Sequence, residues 1–280
     1  LFGAPPITVI VGEEVHPSVT KALGVLGLGR NRVVKIPADR QGRMRVDLLP
    51  TISGPTIVCV QAGNVNTGAC DPFREAIAVA HEHGAWVHVD GAFGLWAAAS
   101  PRTRALVDGV ELADSWGCDG HKWLNVPYDS GFAICARPEV HAAAVRYSAP
   151  YLTGSGTAAL GMSDFTLESS RRAKALTVWA LLRHLGRDGV AGVVDHLCAM
   201  AQRFAERLEA GGARIANEVA LNMVLADFGD DDRNAAIAAA VQAEGTAWLA
   251  TTDWQGRRLL RLSLSSQATT AHDVDAAVDS

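Results

Sequence analysis

Trp86-Val87-His88-Val89-Asp90-Gly91-Ala92-Phe93-Gly94 and Ala113-Asp114-Ser115-Trp116-Gly117-Cys118-Asp119-Gly120-His121-Lys122-Trp123-Leu124 decide the fold of this 280-residue chain. Each segment is a short apolar run that ends on a carboxylate and opens into small residues. Runs of that length bounded by glycine read as strands covered on both faces. Working outward, residues 7–11, 32–36 and 56–62 repeat the pattern, alongside 86–90 and 115–119. Helical segments separate them. Residues 17–26 start on Pro17, which suits a first turn, and residues 72–83 follow Asp71, a cap residue by type. Strand and helix in alternation predict an α/β fold with a largely parallel sheet between helical layers. In such a sheet, ligands sit beyond the carboxyl ends of the strands, where Asn64, Asp90 and Lys122 fall.

The pattern changes after a long helical stretch at 167–185 and 189–210. Residues 219–227, 246–251 and 259–264 read as strands around an alanine-rich helix at 231–244, and Thr270 with Asp273 forms a capping box for a last helix. The expected organisation is a large domain over 1–186 and a smaller α+β domain over 187–280.

A hydrophobic content of 49% supports a large core, and a net charge of −5 gives no electrostatic ground for nucleic-acid binding. No apolar run reaches the roughly 18 residues of a membrane span. The opening Leu1-Phe2-Gly3 has no basic stretch, so a secretory signal is not expected. Five cysteines without a Cys-x-x-Cys pair favour reduced thiols and a cytoplasmic location. Cys118, four residues before Lys122, reads as a small buried hydrophobe. His81 and His83 have no partnering ligands in sequence, so no metal is expected.

Lys122 and Asp90, 32 positions apart, close two such strands. A lysine and a carboxylate so placed can hold an aldehyde cofactor between them. The amine forms a Schiff base with the aldehyde, and the carboxylate keeps a ring nitrogen protonated. Pyridoxal 5'-phosphate requires that arrangement.

The two opening segments, with Glu168-Ser169-Ser170-Arg171-Arg172-Ala173, resemble the group II pyridoxal-phosphate-dependent amino-acid decarboxylases over nearly the whole chain. The resemblance implies the aspartate-aminotransferase type of fold (fold type I), a homodimer, and conversion of an L-amino acid to an amine and carbon dioxide. It places the cofactor on Lys122 and Asp90, with His16 stacked on one ring face and Ala92 on the other. His121 and Asp119 would lie near the phosphate, and Asn64 would donate to the phenolic oxygen. His88 would contact the substrate carboxylate or support Asp90. Arg261 would take a substrate carboxylate or tie the two domains together. Tyr151, 29 residues after Lys122 in a Gly- and Ser-rich stretch, would protonate Cα from a mobile lid. The family also has an upstream Gly- and Ser/Thr-rich phosphate loop that does not precede Ile7, so weak cofactor binding by these 280 residues alone is expected. Other chemistry on the same fold, aminotransfer or carbon–carbon cleavage, and a cofactor-free assembly role are the competing readings.

Overall fold

The computed structural model describes residues 3–147 and 161–280. Six strands form one sheet in the order β2-β1-β3-β4-β5-β6. They are β1 (Thr8–Gly12), β2 (Val34–Ile36), β3 (Thr56–Gln61), β4 (Trp86–Asp90), β5 (Ser115–Asp119) and β6 (Gly131–Cys135). The first five run parallel, and β6 pairs antiparallel with β5. The strand β6 was not foreseen. Its residues, Gly131-Phe132-Ala133-Ile134-Cys135, form an apolar run like those of its neighbours, but the strand is largely exposed at the sheet edge.

Strand alternation sorts the core. Ile10, Val58, Val60, Val87 and Val89 face one cluster with helix α2 (Phe73–Glu82), while Val9, Val11 and Cys59 face α1 (Pro17–Val25). Each such fully buried aliphatic side chain contributes about 1.5–3 kcal/mol. His88 and Asp90 therefore point to the α1 side, out of phase with Val87 and Val89.

Asp71 does not cap α2. The helix starts from Pro72 with no side-chain cap, and the Asp71 carboxylate instead accepts the Met44 and Gln61 N–H groups, both at 2.7 Å. Burial pushes that carboxyl up to about 6, against the pull of these two N–H donors. The predicted helix at 167–185 also starts late. After α3 (Pro138–Val145), the helix α4 runs Ala175–Ala210, and Leu167 lies 89% exposed before it. Weak helix formers at Ser169 and Ser170 delay the start. Within α4, Gly186 adopts φ 63°, ψ −170°, a backbone break that falls in the interval the sequence left between its two helical runs.

A second sheet, β7-β8-β10-β9, is antiparallel throughout. It comprises β7 (Arg214–Ile215), β8 (Met223–Asp227), β9 (Ala250–Trp254) and β10 (Arg257–Ser263), with α5 (Asp231–Glu244) and α6 (Ala271–Asp279). The helix α5 matches its expected bounds, and Thr270 and Asp273 form the capping box of α6. The strand β9 lies later than the expected 246–251, because Gln255 and Gly256, both at positive φ, make a two-residue hairpin that fixes its register with β10. Val193, Val194 and Leu197 of α4 pack in the large core, whereas Ala201, Phe204 and Leu208 pack under the second sheet.

The second sheet is bound to the loop after β3. Arg261 Nε donates to Val65 O at 2.7 Å, Asn217 Nδ2 to Thr67 O at 2.9 Å, and Thr252 Oγ1 to Asn66 Oδ1 at 2.9 Å. A wall of the smaller body is thereby held over the carboxyl ends of the parallel strands.

Candidate active site

A cavity of about 720 Å³ lies at those strand ends, within the usual size of a small-molecule site. His16, His88, Asp90, Ala92, Asp119, His121, Lys122 and Arg261, eight of the residues expected from sequence, all line it. They come from five places: the start of α1, β4 and the turn after it, the end of β5, the following loop, and β10.

Asp90 ends β4, and its Oδ1 accepts the Ala92 N–H at 3.3 Å. Its other oxygen has no hydrogen bond or ion pair among the described residues. Lys122 stands in the loop after β5, with Nζ 3.0 Å from Asp119 Oδ2 and 5.9 Å from the Phe93 ring centroid. Trp123, fully buried beside it, packs on Phe93 with ring centroids 6.1 Å apart and anchors the lysine loop to the core. That packing needs Gly94: a Cβ there would lie 2.3 Å from Ala62 O, so only glycine lets the turn after β4 approach the loop after β3.

His121 Nδ1 lies 2.6 Å from Ser130 O and 3.2 Å from Ser130 N. The shorter contact, to a carbonyl that can only accept, favours the tautomer with the proton on Nδ1, and the ring stacks on Tyr128 at 4.3 Å with a 34° tilt. Nε2 is 3.6 Å from Asp119 Oδ2. His16 is the N-cap of α1, with Nδ1 accepting the Ser18 N–H at 3.3 Å and lying 2.8 Å from Ser18 Oγ. Arg261 spends Nε on Val65 O, and its remaining nitrogens form no ion pair among the described residues. Burial lowers its pKa. Cys118 is buried behind the site, where burial pushes the thiol up to about 12.

Asn64 is a correction. Its side chain is 1% exposed and does not line the cavity. Nδ2 donates to Glu14 Oε2 at 3.0 Å, and Oδ1 accepts from the Asn66 and Thr67 N–H groups, so the residue braces the loop from behind. The asparagine-rich loop chemistry that suggested a ligand contact is an Asx turn. Tyr151 lies outside the described residues. Sequence reasoning missed Tyr128, although it stands six residues after Lys122, and also Asn222, Ser263 and Ser265 on the smaller body's wall. No periodicity flags those three, because they reach the cavity through the packing of the second sheet.

Chemically, an aldehyde-bearing ring set in this cavity meets an amine at one side and a carboxylate with an uncommitted oxygen at another. That donor set fits the cofactor expected from the two opening segments. Among the described residues no cluster of His, Cys, Asp and Glu has metal-binding geometry, and no helix is long and apolar enough to cross a membrane.

Comparison with known proteins agrees with this geometry. Residues 6–226 match the family described as pyridoxal-dependent decarboxylase conserved domain. The aspartate 1-decarboxylase of Aliivibrio fischeri is 32% identical over 211 residues, covering 72% of this chain and 38% of the relative. An aromatic-L-amino-acid decarboxylase of Drosophila lebanonensis is 30% identical over 274 residues, covering 94% and 67%. Among solved structures, Oryza sativa TDC with PLP and tryptamine superposes with a TM-score of 0.89 at 22% identity, covering 98% of this chain and 61% of that one. That likeness shows the fold. The chain thus spans from about four tenths to two thirds of the length of these proteins.

Proposed function

The chain belongs to the pyridoxal-dependent decarboxylase family, and on that premise we propose that it decarboxylates an L-amino acid to an amine and carbon dioxide, using pyridoxal 5'-phosphate, as a cytoplasmic homodimer. The observation that carries this reading is the presence, on one cavity, of the Lys122 amine and an Asp90 carboxylate oxygen without a partner among the described residues. When bound, the cofactor supplies an aldehyde for the substrate amine and a ring that accepts the electron pair left by carbon dioxide.

The chain's own groups have distinct tasks. Asp119 Oδ2, 3.0 Å from the amine, receives the proton that Lys122 must lose before its nitrogen bonds to a carbonyl carbon. Asp90 holds a proton on the ring nitrogen by charge pairing. With the cofactor bound, His16 at the start of α1 would cover one ring face and Ala92 would leave room on the other, and His121 and Asp119 would help to hold the phosphate. Arg261, whose terminal nitrogens have no partner among the described residues, takes a substrate carboxylate. Tyr151, on the sequence argument, returns a proton to Cα.

The test is a screen of the amino acids with the cofactor-loaded protein, scored for carbon dioxide and for the organic product. Amine with stoichiometric carbon dioxide is the expected outcome. A keto acid without carbon dioxide, or an aldehyde as main product, overturns the reading.

A further inference from the structure

Strands β4 and β5 lie side by side with His88 in register with Ser115 and Asp90 with Gly117. Trp86, His88 and Asp90 alternate onto the face that carries Ser115, Gly117 and Asp119. On that face Trp86 Nε1 donates to Ser115 Oγ at 2.8 Å, and Ser115 Oγ lies 2.9 Å from His88 Nδ1. Indole nitrogen only donates, so the serine oxygen accepts from Trp86. The serine proton then has one acceptor among the described residues, His88 Nδ1. With Nδ1 accepting, a neutral ring carries its proton on Nε2. The other tautomer would aim two donors at one serine oxygen and leave the hydroxyl proton unpaired at a part-buried place.

Two further observations agree. Burial holds the His88 imidazole below its ordinary value, against the raising effect of Asp90, which favours a neutral ring. Nε2 has no hydrogen-bond partner among the described residues, and His88 lines the cavity. A Cβ at Gly117 would stand 3.9 Å from Nε2 and Cε1, so glycine there leaves that edge of the ring uncovered.

We propose that Trp86 and Ser115 are positioning residues that fix His88 as a hydrogen-bond donor, its Nε2–H offered to a carboxylate oxygen of the bound amino acid. His88 is then a recognition group rather than a proton-abstracting base, since the nitrogen it turns to the cavity already bears its proton. The donor's use rests on the decarboxylase reading above. The tautomer rests on the geometry alone.

The experiment is ¹⁵N NMR of the histidine side chains in the chain without cofactor, with His88 assigned by loss of its signals in His88→Gln. The expected spectrum has a protonated Nε2 and an unprotonated, hydrogen-bonded Nδ1. In Ser115→Ala the Nδ1 resonance should move downfield toward that of an unbonded nitrogen, and Ser115→Thr should restore it. A wild-type His88 protonated on Nδ1, or an Nδ1 resonance unmoved by Ser115→Ala, overturns the proposal. In the cofactor-loaded protein, Ser115→Ala should raise KM for the amino acid several-fold with a smaller change in kcat. A fall in kcat at constant KM would place His88 at the reacting bonds and also overturn it. Absence of decarboxylation in the wild type would defeat the functional reading and leave the NMR result standing.

Discussion

The two ends of strands β4 and β5 each carry carboxylates, and they treat them oppositely. At the start of β5, Asp114 accepts the Val87 N–H at 2.8 Å, His81 Nε2 lies at 3.0 Å, and an Arg137 nitrogen lies at 2.5 Å. Burial alone would raise that carboxyl, but the Val87 N–H, Arg137 and His81 outweigh it and hold it below the usual range. At the other end, Asp90 has one long bond from Ala92 and an oxygen with no partner among the described residues. The same strands thus saturate one carboxylate and leave the other wanting. A saturated polar group is structural. A carboxylate whose second oxygen has no partner among the described residues, on the same cavity as Lys122, is free to engage a ligand there.

The sharpest way to break this contrast is Asp90→Asn. Turnover of the loaded protein should fall roughly 10³-fold, in keeping with loss of one preorganised charge. Thermal stability should change by no more than about 0.5 kcal/mol, because no internal partner is abandoned. Near-wild-type turnover would make Asp90 a strand-end cap.

The mirror substitution, Asp114→Ala, should reverse the pattern. It leaves Arg137, His81 and the Val87 N–H without their acceptor, at a cost of about 2–3 kcal/mol read by denaturant unfolding. The catalytic constants of the fraction that remains folded should be unchanged. A stability loss below about 0.5 kcal/mol would show that surface exposure of Arg137 and His81 makes the cluster negligible.

A smaller effect extends the comparison to the second sheet, where Asp227 is also saturated. Burial would raise its carboxyl, but Asn234, Arg214, the Gly229 N–H and Arg257 prevail and hold it at about 2. The unfolded chain takes up this proton near 3.8, before the folded state does. Acid therefore favours unfolding, and the contribution of Asp227, full above about pH 4, is lost as pH falls toward 2. Asp227→Asn should be less stable at neutral pH and show a shallower loss over that window. An unchanged acid limb would contradict the assignment.

Much of this was legible in the sequence where local pattern and final environment agree. Apolar runs closing on Asp90 and on Asp119, three residues before Lys122, gave strands whose ends had to meet, because parallel neighbours place their carboxyl ends together. Capping chemistry at Thr270 was likewise local. Asp71 is a cap residue by type, but its carboxylate takes the Met44 N–H 27 residues away. Asn64, expected to meet the cofactor, is held instead by its own Asx turn to Asn66 and Thr67 and by Glu14, 50 residues away. Strand β6 does carry an apolar run, Phe132 to Cys135, whereas Asn222, Ser263 and Ser265 have no local signal because a separate sheet delivers them. The Trp86–Ser115–His88 contact was likewise invisible until the register of β4 against β5 was known.

The central claim is that Lys122 is the residue that bonds to the cofactor. Borohydride reduction of the protein with pyridoxal 5'-phosphate, followed by peptide mass mapping, tests it without reference to turnover. A single pyridoxyl adduct on Lys122, absent in Lys122→Ala, is the predicted result. An adduct on Lys174 or Lys35 in place of Lys122 would contradict it.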